Sequence, residues 1–364
     1  MSRYRWILRG ALALTAINAS AVLAAPAAVP KDQVAIVQHG YGGPEVLKAE
    51  TVPVLEPGEG QILIRIVAVG VNPVDWKARE GINGRPAGSG RRPNPPDRVI
   101  PGIDVAGVVV KLGAGVPDLK VGDAVAGVVG GGAQGLNGAY AHYALAPAAR
   151  VILKPRSLTY AQAAGLGTAG NTAALALYRL KPVAGQSLLI TGVAGGVGST
   201  MAQLAKARGV RVLGTATPRH DAYLKAIGVE QVIDYSQGDW STKLKNVDLV
   251  FDTIGGMDGQ RALAALKQGG EFLGVNGEAG EPTADQCSAA GVRCVSLRPA
   301  QPDDPSAQQQ LNDIGRLVGE KKFTIHIDKS FPLERAADAQ ELSRQGHVEG
   351  KIVLIVDPAQ AMRK

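Results

Sequence analysis

The chain of 364 residues is poor in cysteine, histidine and aromatic residues, and these shortages exclude several functions. Its five histidines are scattered and its two cysteines, Cys287 and Cys294, form no Cys-x-x-Cys pair, so the ligand spacing of a zinc site is absent. In an oxidising compartment the two cysteines can pair, whereas in a reducing one they stay buried thiols. The net charge is +7, but no basic cluster interleaved with aromatic residues occurs, which argues against a nucleic-acid partner.

The chain also lacks an apolar run that spans a bilayer comfortably, and its first apolar run is typical of an export signal. Three arginines in the first nine residues form a positive start, residues 11–23 are apolar, and small residues precede Ala25. The sequence therefore predicts a signal peptide over residues 1–24, an exported and periplasmic mature protein, and no stable membrane insertion after processing. An uncleaved anchor, or an upstream start codon that adds non-native residues, stays open as the alternative.

The most informative feature that the sequence does contain is a glycine-rich turn. An apolar run, Ser187–Thr191, precedes the turn, and a segment with apolar residues at helical spacing follows it as far as Gly209. A strand, a turn and a helix in this order leave backbone N–H groups free at the positive end of the helix, where a pyrophosphate binds. The strict dinucleotide fingerprint is not met, because a valine replaces its first glycine. The predicted dinucleotide-binding residues are Gly192, Val193, Ala194, Gly195, Gly196, Val197 and Gly198.

Two patterns of hydrophobic residues divide the rest of the chain. Residues 33–155 contain short apolar runs bounded by glycine and proline, which predict a mostly β domain. In residues 156–300 strand and helix patterns alternate, as in a doubly wound parallel sheet. Residues 301–364 return to β character. The sequence therefore predicts an α/β protein in which a Rossmann nucleotide domain is inserted into a mostly β domain.

Ordered motifs along residues 33–356 support this division. They include Gly40-Tyr-Gly-Gly-Pro-Glu-Val-Leu47, Gly70-Val-Asn-Pro-Val-Asp-Trp-Lys77, Ile100-Pro-Gly-Ile-Asp-Val-Ala-Gly-Val108 and Gly346-His-Val-Glu-Gly-Lys-Ile-Val353. With the glycine turn, they make the chain resemble the medium-chain dehydrogenase/reductase superfamily, and more narrowly its zinc-independent quinone oxidoreductases related to zeta-crystallin. The resemblance implies that the β domain is a GroES-like catalytic domain, and that a homodimer is possible.

The resemblance also identifies metal ligands that this sequence lacks. Zinc-dependent relatives place a cysteine where this chain has Asn72, and the histidine and glutamate of a Gly-His-Glu motif where it has Ile103 and Asp104. Their third ligand position corresponds to Thr168. Asparagine, isoleucine and threonine do not hold zinc, so we expect no metal. Without a metal, hydride transfer is easiest to an electrophilic acceptor such as a quinone or an α,β-unsaturated carbonyl compound.

Five residues are candidates for the catalytic cleft. By the resemblance, Asn72, Asp75 and Lys77 line the cleft near the nicotinamide, with Lys77 contacting ribose hydroxyls or relaying a proton, and Thr172 lies near the same ring. The substrate oxygen also needs a proton, which Lys77, Tyr140 or solvent can deliver. Structural alternatives stay open. In these alternatives, Asn72 only starts a turn and Asp75 only caps a helix. Thr172 is then a hydroxyl at the start of a helix, and Tyr140 is a buried aromatic residue of a strand.

The end of the second nucleotide strand favours NADP(H) over NAD(H). Residues 214–220 contain no acidic side chain that would bind a ribose 2′-hydroxyl. Thr217 and Arg219 can bind a 2′-phosphate instead, Arg219 through a charge-assisted pair of hydrogen bonds, although a solvated surface arginine is the alternative. By the resemblance, Tyr235 packs beside the adenine ribose. We also assign Lys351 to the cofactor-binding residues.

Together these features predict an NADPH-dependent, zinc-independent oxidoreductase that transfers hydride to quinones or α,β-unsaturated carbonyl compounds. The alternatives are a reductase of simple aldehydes or enoyl thioesters, and a nucleotide-binding protein without turnover. The predicted export conflicts with this cofactor, because free NADPH is scarce outside the cytoplasm.

Overall fold

The structure is a computed structural model, and it describes most of the chain from residue 28 onward. The described residues are 28–82, 97–130, 135–275, 281–295, 297, 313–318, 320 and 323–364. The predicted signal peptide lies outside these ranges. Within them, no helix is both long enough and apolar enough to cross a membrane.

A mostly antiparallel sheet and a small two-stranded sheet form the first part of the fold. Their strands are β1 (Asp32–Gln38), β2 (Leu47–Pro53), β3 (Gln61–Val71), β4 (Asp104–Leu112), β5 (Ala124–Val128), β6 (Tyr143–Pro147) and β7 (Val151–Leu153). β1 and β2 pair with each other, and β3 pairs with both β4 and β6. Short helices border these strands: α1 (Pro73–Arg79) and α2 (Tyr160–Ala164).

A six-stranded parallel sheet with helices forms the second part. Its strands are β8 (Ser187–Thr191), β9 (Arg211–Thr215), β10 (Gln231–Ile233), β11 (Val247–Asp252), β12 (Leu266–Gly274) and β13 (Arg293–Val295). Its helices are α3 (Gly167–Leu180), α4 (Gly196–Lys206), α5 (Asp221–Ile227), α6 (Gly256–Ala265), α7 (Ala284–Ala289) and α8 (residues 313–318). The strand order is β10-β9-β8-β11-β12-β13, so the winding direction reverses beside β8. Ligands of doubly wound sheets bind at such a reversal.

The chain then returns to the first sheet. The last elements are β14 (Ile327–Pro332), α9 (Ala336–Gln345), β15 (Lys351–Ile355) and α10 (Pro358–Ala361). β15 pairs antiparallel with β3 and parallel with β14, which completes the order β14-β15-β3-β4-β5-β7. The predicted fold class is therefore confirmed. The domain boundaries at residues 155 and 300 stay predictions.

The two large sheets are packed on both faces, because alternate side chains of their central strands belong to different hydrophobic cores. In β8, Leu188 and Ile190 belong to the core that contains α4, whereas Leu189 belongs to the core on the opposite face with Trp240. β3 contributes to two cores in the same way, because Ile64 lies in the core of the β domain and Ala68 packs toward the nucleotide domain. Strands buried on both faces read as continuous apolar runs, as these sequences do.

The two cysteines join an edge of the parallel sheet to its neighbouring helix. Cys287 in α7 and Cys294 in β13 form a disulfide, and their Cα atoms are 5.9 Å apart. Of the two states that the sequence leaves open, the structure contains the paired one. Cys287 is buried, so this link lies at the packed side of the helix.

Replacing Phe251 by alanine should destabilise the fold strongly. The ring lies in β11 and is 0% exposed, so its removal leaves a cavity in the core between the parallel sheet and α4. We expect the free energy of unfolding to fall by about 3–5 kcal/mol in urea titrations. Met257→Ala is the matched control, because Met257 is 70% exposed and should lose less than about 0.5 kcal/mol. Equal losses in the two variants would contradict the described packing.

Candidate functional site

A cleft of about 440 Å³ lies between the two sheets, at the reversal of the parallel strands. The nucleotide sheet contributes the glycine-rich turn and the residues after β9. The other sheet contributes the end of β3, the start of β15 and the loop that precedes β15, residues 346–350. Ala194 accepts a hydrogen bond of 2.7 Å from the Gly350 N–H, so the turn and this loop are in direct contact. Any ligand in the cleft is therefore bordered by both parts of the fold.

The glycine-rich turn has the geometry of an anion site. Gly192 has φ 62°, and α4 begins at Gly196 with Gly195 as its N-cap. The first N–H groups of this eleven-residue helix have no carbonyl partner within the helix, and they lie at its positive end. A Cβ on Gly198 would lie 2.5 Å from the Gly192 carbonyl oxygen, so only glycine allows the helix to start this close to the turn.

The turn residues divide into those that border the cleft and one that does not. Val193 is fully buried, and its side chain packs against β9, where a Cβ on Gly214 would lie 2.3 Å from the Val193 Cγ1. The valine that replaces the first glycine of the fingerprint thus fills the core beneath the turn. The predicted residues that do border the cleft are Gly192, Ala194, Gly195, Gly196, Val197 and Gly198.

The end of β9 supplies polar groups at the mouth of the cleft. Thr217 borders the cleft, and its hydroxyl is buried without a partner among the described residues. Arg219 does not border the cleft itself but bonds to two residues that do, because its Nε donates to Nε2 of His220 at 2.9 Å and its Nη2 donates to the His347 carbonyl. Tyr235 also borders the cleft. A buried hydroxyl without a partner and a nearby guanidinium fit the acceptor oxygens of a 2′-phosphate.

Lys351 brings a buried charge to the cleft, since the residue is 5% exposed. Its Nζ donates to Asn72 Oδ1 at 2.6 Å and to the Val71 carbonyl at 3.2 Å, and it lies 3.5 Å from Asp104 Oδ2. β3 runs antiparallel to its neighbours β15 and β4. The start of β15, the end of β3 and the start of β4 therefore lie side by side at the same end of these strands. A Cβ on Gly196 would lie 2.6 Å from the Lys351 Cδ, so the stem of the lysine runs directly against the glycine turn.

Asp104 connects this cluster to the nucleotide domain. Its Oδ2 accepts from Asn72 Nδ2 at 3.0 Å, and its Oδ1 accepts from the N–H and the hydroxyl of Thr168 at 2.7 and 2.6 Å. Thr168 lies in the first turn of α3, so the carboxylate also sits at the positive end of that helix. A Cβ on Gly167 would lie 2.4 Å from Asp104 Oδ1, which explains the glycine there. Sequence reasoning treated Asp104 and Thr168 only as substituted metal ligands and missed this role.

Asp75 and Tyr140 lie behind the cleft and do not border it. Both are buried, and Asp75 Oδ2 accepts from the Asn72 N–H at 2.9 Å and from the Tyr140 hydroxyl at 3.0 Å. Asp75 therefore caps α1, as the structural alternative had it. Burial raises the pKa of Asp75 to about 7, although the hydrogen bond from Asn72 opposes the shift. Burial also raises the pKa of Tyr140 well above its ordinary value.

Lys77 and Thr172 do not border the cleft either. Lys77 is half-buried on α1, with its Nζ 5.9 Å from the centroid of the Trp76 ring. Thr172 is half-buried in the first half of α3, and Ala169, one turn earlier, borders the cleft in its place. The catalytic assignments of Asp75, Lys77, Tyr140 and Thr172 therefore stay predictions. Of the predicted catalytic residues, Asn72 is the one that borders the cleft, and both ends of its amide are bonded to Lys351 and Asp104.

Comparison with protein families matches both parts of the chain. Residues 58–156 match the family described as "Alcohol dehydrogenase GroES-like domain", and residues 227–354 match the one described as "Zinc-binding dehydrogenase". Within the described residues, no group of three or more histidine, cysteine, aspartate or glutamate side chains is placed to hold a metal ion. The chain thus shares the family's fold, whereas its described residues contain no such ligand group.

Individual relatives cover nearly the whole chain. The NADPH-dependent alkenal/one oxidoreductase of Arabidopsis thaliana is 35% identical over 94% of this chain and 84% of that protein. The quinone oxidoreductase of Sus scrofa is 31% identical over 87% of this chain and 95% of that protein. The structure of the quinone oxidoreductase from Coxiella burnetii superposes with a TM-score of 0.78 at 34% identity, over 90% of this chain and 100% of that one.

The relatives contradict the prediction of an exported, periplasmic protein. Four of them are named as chloroplast proteins, and one of these four is named as NADPH-dependent. An enzyme of this kind needs a compartment that supplies NADPH, which a periplasmic location does not provide. The prediction from the charged and apolar start of the chain is therefore wrong, because that local pattern carries no information about where the cofactor is available.

The buried Asp75 predicts a pH dependence of stability. Its folded pKa of about 7 exceeds its ordinary value of 3.8, so between these two values the folded protein binds a proton that the unfolded chain does not. The contribution of this group to stability therefore falls as the pH rises from about 4 to about 7, by up to about 1.4 kcal/mol per pH unit. Urea titrations at pH 5, 6 and 7 should show a smaller loss in Asp75→Asn. Asp118→Asn, at an exposed aspartate, should retain the slope of the unmodified protein, and an unchanged slope in Asp75→Asn would refute the assignment.

Removing the charge of Lys351 should destabilise the protein because it leaves the carboxylate of Asp104 buried without its cation. We expect Lys351→Met to lower the free energy of unfolding by about 3–5 kcal/mol, and the double variant with Asp104→Asn to recover part of this loss. Lys48→Met is the control at an exposed lysine. Urea titrations that show equal stability for the two lysine variants would contradict a buried ion pair.

Proposed function

We propose a function for this chain from the family to which it belongs, the zinc-independent quinone oxidoreductase branch of the medium-chain dehydrogenase/reductase superfamily. The protein is an NADPH-dependent oxidoreductase that reduces quinones or α,β-unsaturated carbonyl compounds. One observation carries the proposal: a single cleft combines the glycine-rich turn of the nucleotide sheet with the buried ammonium of Lys351 from the other sheet.

The residues of the nucleotide sheet fit the parts of NADPH. The N–H groups at the start of α4 would bind the pyrophosphate. The Thr217 hydroxyl, which has no partner within the described ranges, and the guanidinium of Arg219 would bind the 2′-phosphate. Tyr235 would lie beside the adenine ribose. When bound, NADPH supplies the hydride. The protein would supply position, since the turn and the loop before β15 line the cleft from two sides.

The polar cluster favours an acceptor that spreads its own negative charge. The positions that the resemblance assigns to the metal-ligand motifs of zinc-dependent relatives hold Asn72, Ile103, Asp104 and Thr168, and the ammonium of Lys351 contacts Asn72 and Asp104. A divalent cation would meet that positive charge and a single carboxylate, so these residues do not suit a metal. Quinones and enones delocalise the charge that develops on their oxygen. Such an acceptor needs less electrostatic stabilisation from the site, which suits an ammonium that is already paired with Asp104.

Among the three candidates for proton delivery, the arrangement of the side chains favours solvent. The Tyr140 hydroxyl donates to Asp75 behind the cleft, and Lys77 does not border the cleft. Solvent in the open cleft is then the donor to the reduced oxygen. Asn72 holds Lys351 in place and is a positioning residue in this mechanism, while Asp75 and Tyr140 hold the loop from which Asn72 projects.

The direct test is consumption of NADPH by the purified protein. We expect turnover with a soluble benzoquinone or a 3-en-2-one, slower turnover with NADH, and no loss after incubation with a zinc chelator, since the proposed chemistry uses no metal. Tight NADPH binding without turnover across quinones, enones, simple aldehydes and enoyl thioesters would overturn the proposal in favour of a nucleotide-binding protein. Turnover of aldehydes or enoyl thioesters alone would favour the other reductase class.

A homodimer belongs to the same proposal. β13 is the last strand of the parallel sheet, and in the described residues it pairs on one side with β12. Its other edge offers unpaired backbone groups of the kind that a second copy can use.

A further inference from the structure

The mouth of the cleft contains a cluster that links the two sheets. Arg219 and His220 come from the turn after β9, and Glu349 comes from the loop between α9 and β15. His220 is 5% exposed and borders the cleft beside Thr217. The cluster therefore joins the nucleotide domain to the opposite wall, next to a buried hydroxyl that has no partner among the described residues.

The hydrogen bonds of His220 determine which ring nitrogen carries the proton. A guanidinium only donates hydrogen bonds, so Nε2 of His220, 2.9 Å from the Arg219 Nε, must accept. The proton then resides on Nδ1, which lies 2.8 Å from Oε2 of Glu349. Glu349 thus holds the imidazole in the tautomer that can bind Arg219.

Glu349 is itself held from a second side. Its other oxygen, Oε1, lies 3.2 Å from Nε2 of His326, and the ring of His326 packs against Tyr223 with centroids 5.0 Å apart. The carboxylate therefore has two fixed partners, one from each sheet. Such a support keeps the imidazole from rotating away from the guanidinium.

Arg219 is oriented by two contacts, its Nε on the His220 ring and its Nη2 on the His347 carbonyl. A guanidinium has high rotational freedom, and fixing it in advance lowers the entropic cost of each hydrogen bond that it makes to a ligand. The charge of a 2′-phosphate makes it a stronger acceptor than a 2′-hydroxyl. A fixed guanidinium therefore adds affinity for NADPH and little for NADH.

We propose that His220, supported by Glu349 from the opposite sheet, is a positioning residue that orients Arg219 for the 2′-phosphate and so sets the preference for NADPH over NADH. This inference rests on the proposed function, because it takes NADPH as the cofactor. It also assigns part of the cofactor selectivity to the catalytic domain, through Glu349, although the phosphate donors lie in the nucleotide domain.

A double-mutant cycle tests the proposal by calorimetric titration of the whole protein with NADPH and with NADH. The readout is the ratio of the NADH Kd to the NADPH Kd. We expect Arg219→Ala to lower this ratio by about 10- to 100-fold, and His220→Leu to lower it by about 3- to 10-fold. In the Arg219→Ala background, His220→Leu should change the ratio by less than about twofold, because its effect passes through Arg219.

The controls separate selectivity from folding. NADH affinity should stay within about twofold in every variant, which a misfolded cleft would not allow. His39→Leu is the control, because His39 pairs with Glu50 and contacts neither Glu349 nor Arg219, and it should leave the ratio unchanged. Equal weakening of NADPH and NADH by His220→Leu, or additive effects in the double variant, would overturn the inference alone. Failure of the unmodified protein to bind either nucleotide would overturn the proposed function.

Discussion

The buried ion pair between Lys351 and Asp104 is the constraint on which the cleft depends. Neither group can be left without the other, because a lone charge at this depth is costly. Their pairing fixes the start of β15 against the start of β4, and Asn72 bridges them from the end of β3. The same carboxylate accepts hydrogen bonds from the N–H and the hydroxyl of Thr168, in the first turn of α3. One cluster thus sets the register of three strands and the approach of the nucleotide domain.

The two halves of the site obey different physical rules. At the glycine turn, the backbone itself is the binding surface, so the side chains are small and the helix end supplies the positive field. At the opposite wall, the polar groups are long charged side chains, and each of them needs a hydrogen-bond or ion-pair partner to fix its position. Such side chains are ordered here by contacts that cross between sheets, as Lys351 with Asn72 and His220 with Glu349 do.

The sequence predicted the fold and the glycine turn because both rest on local patterns. A strand, a turn and a helix follow one another between residues 187 and 209, and their spacing alone indicates the anion site. The Lys351–Asp104 pair could not be found in this way, because the two residues are far apart in the chain and no motif ties them. The resemblance places Asp75 on the cleft, and the need for a proton makes Tyr140 a candidate donor. In the structure Asp75 caps α1 behind the cleft, and the buried Tyr140 donates to it there. The sequence does not identify His220, because its partner Glu349 is far away in the chain.

The late return of the chain to its first sheet has a consequence for synthesis on the ribosome. β3 is made early, but its partner β15 spans Lys351–Ile355 and emerges only after the nucleotide sheet is complete. Because domains fold as they emerge, the parallel sheet can form first, while the last residues of β3, residues 68–71, still lack the strand that pairs with them opposite β4. The nascent chain therefore has no complete cofactor cleft until its last strand is made, and a message truncated before that strand would yield a protein whose cleft lacks Lys351.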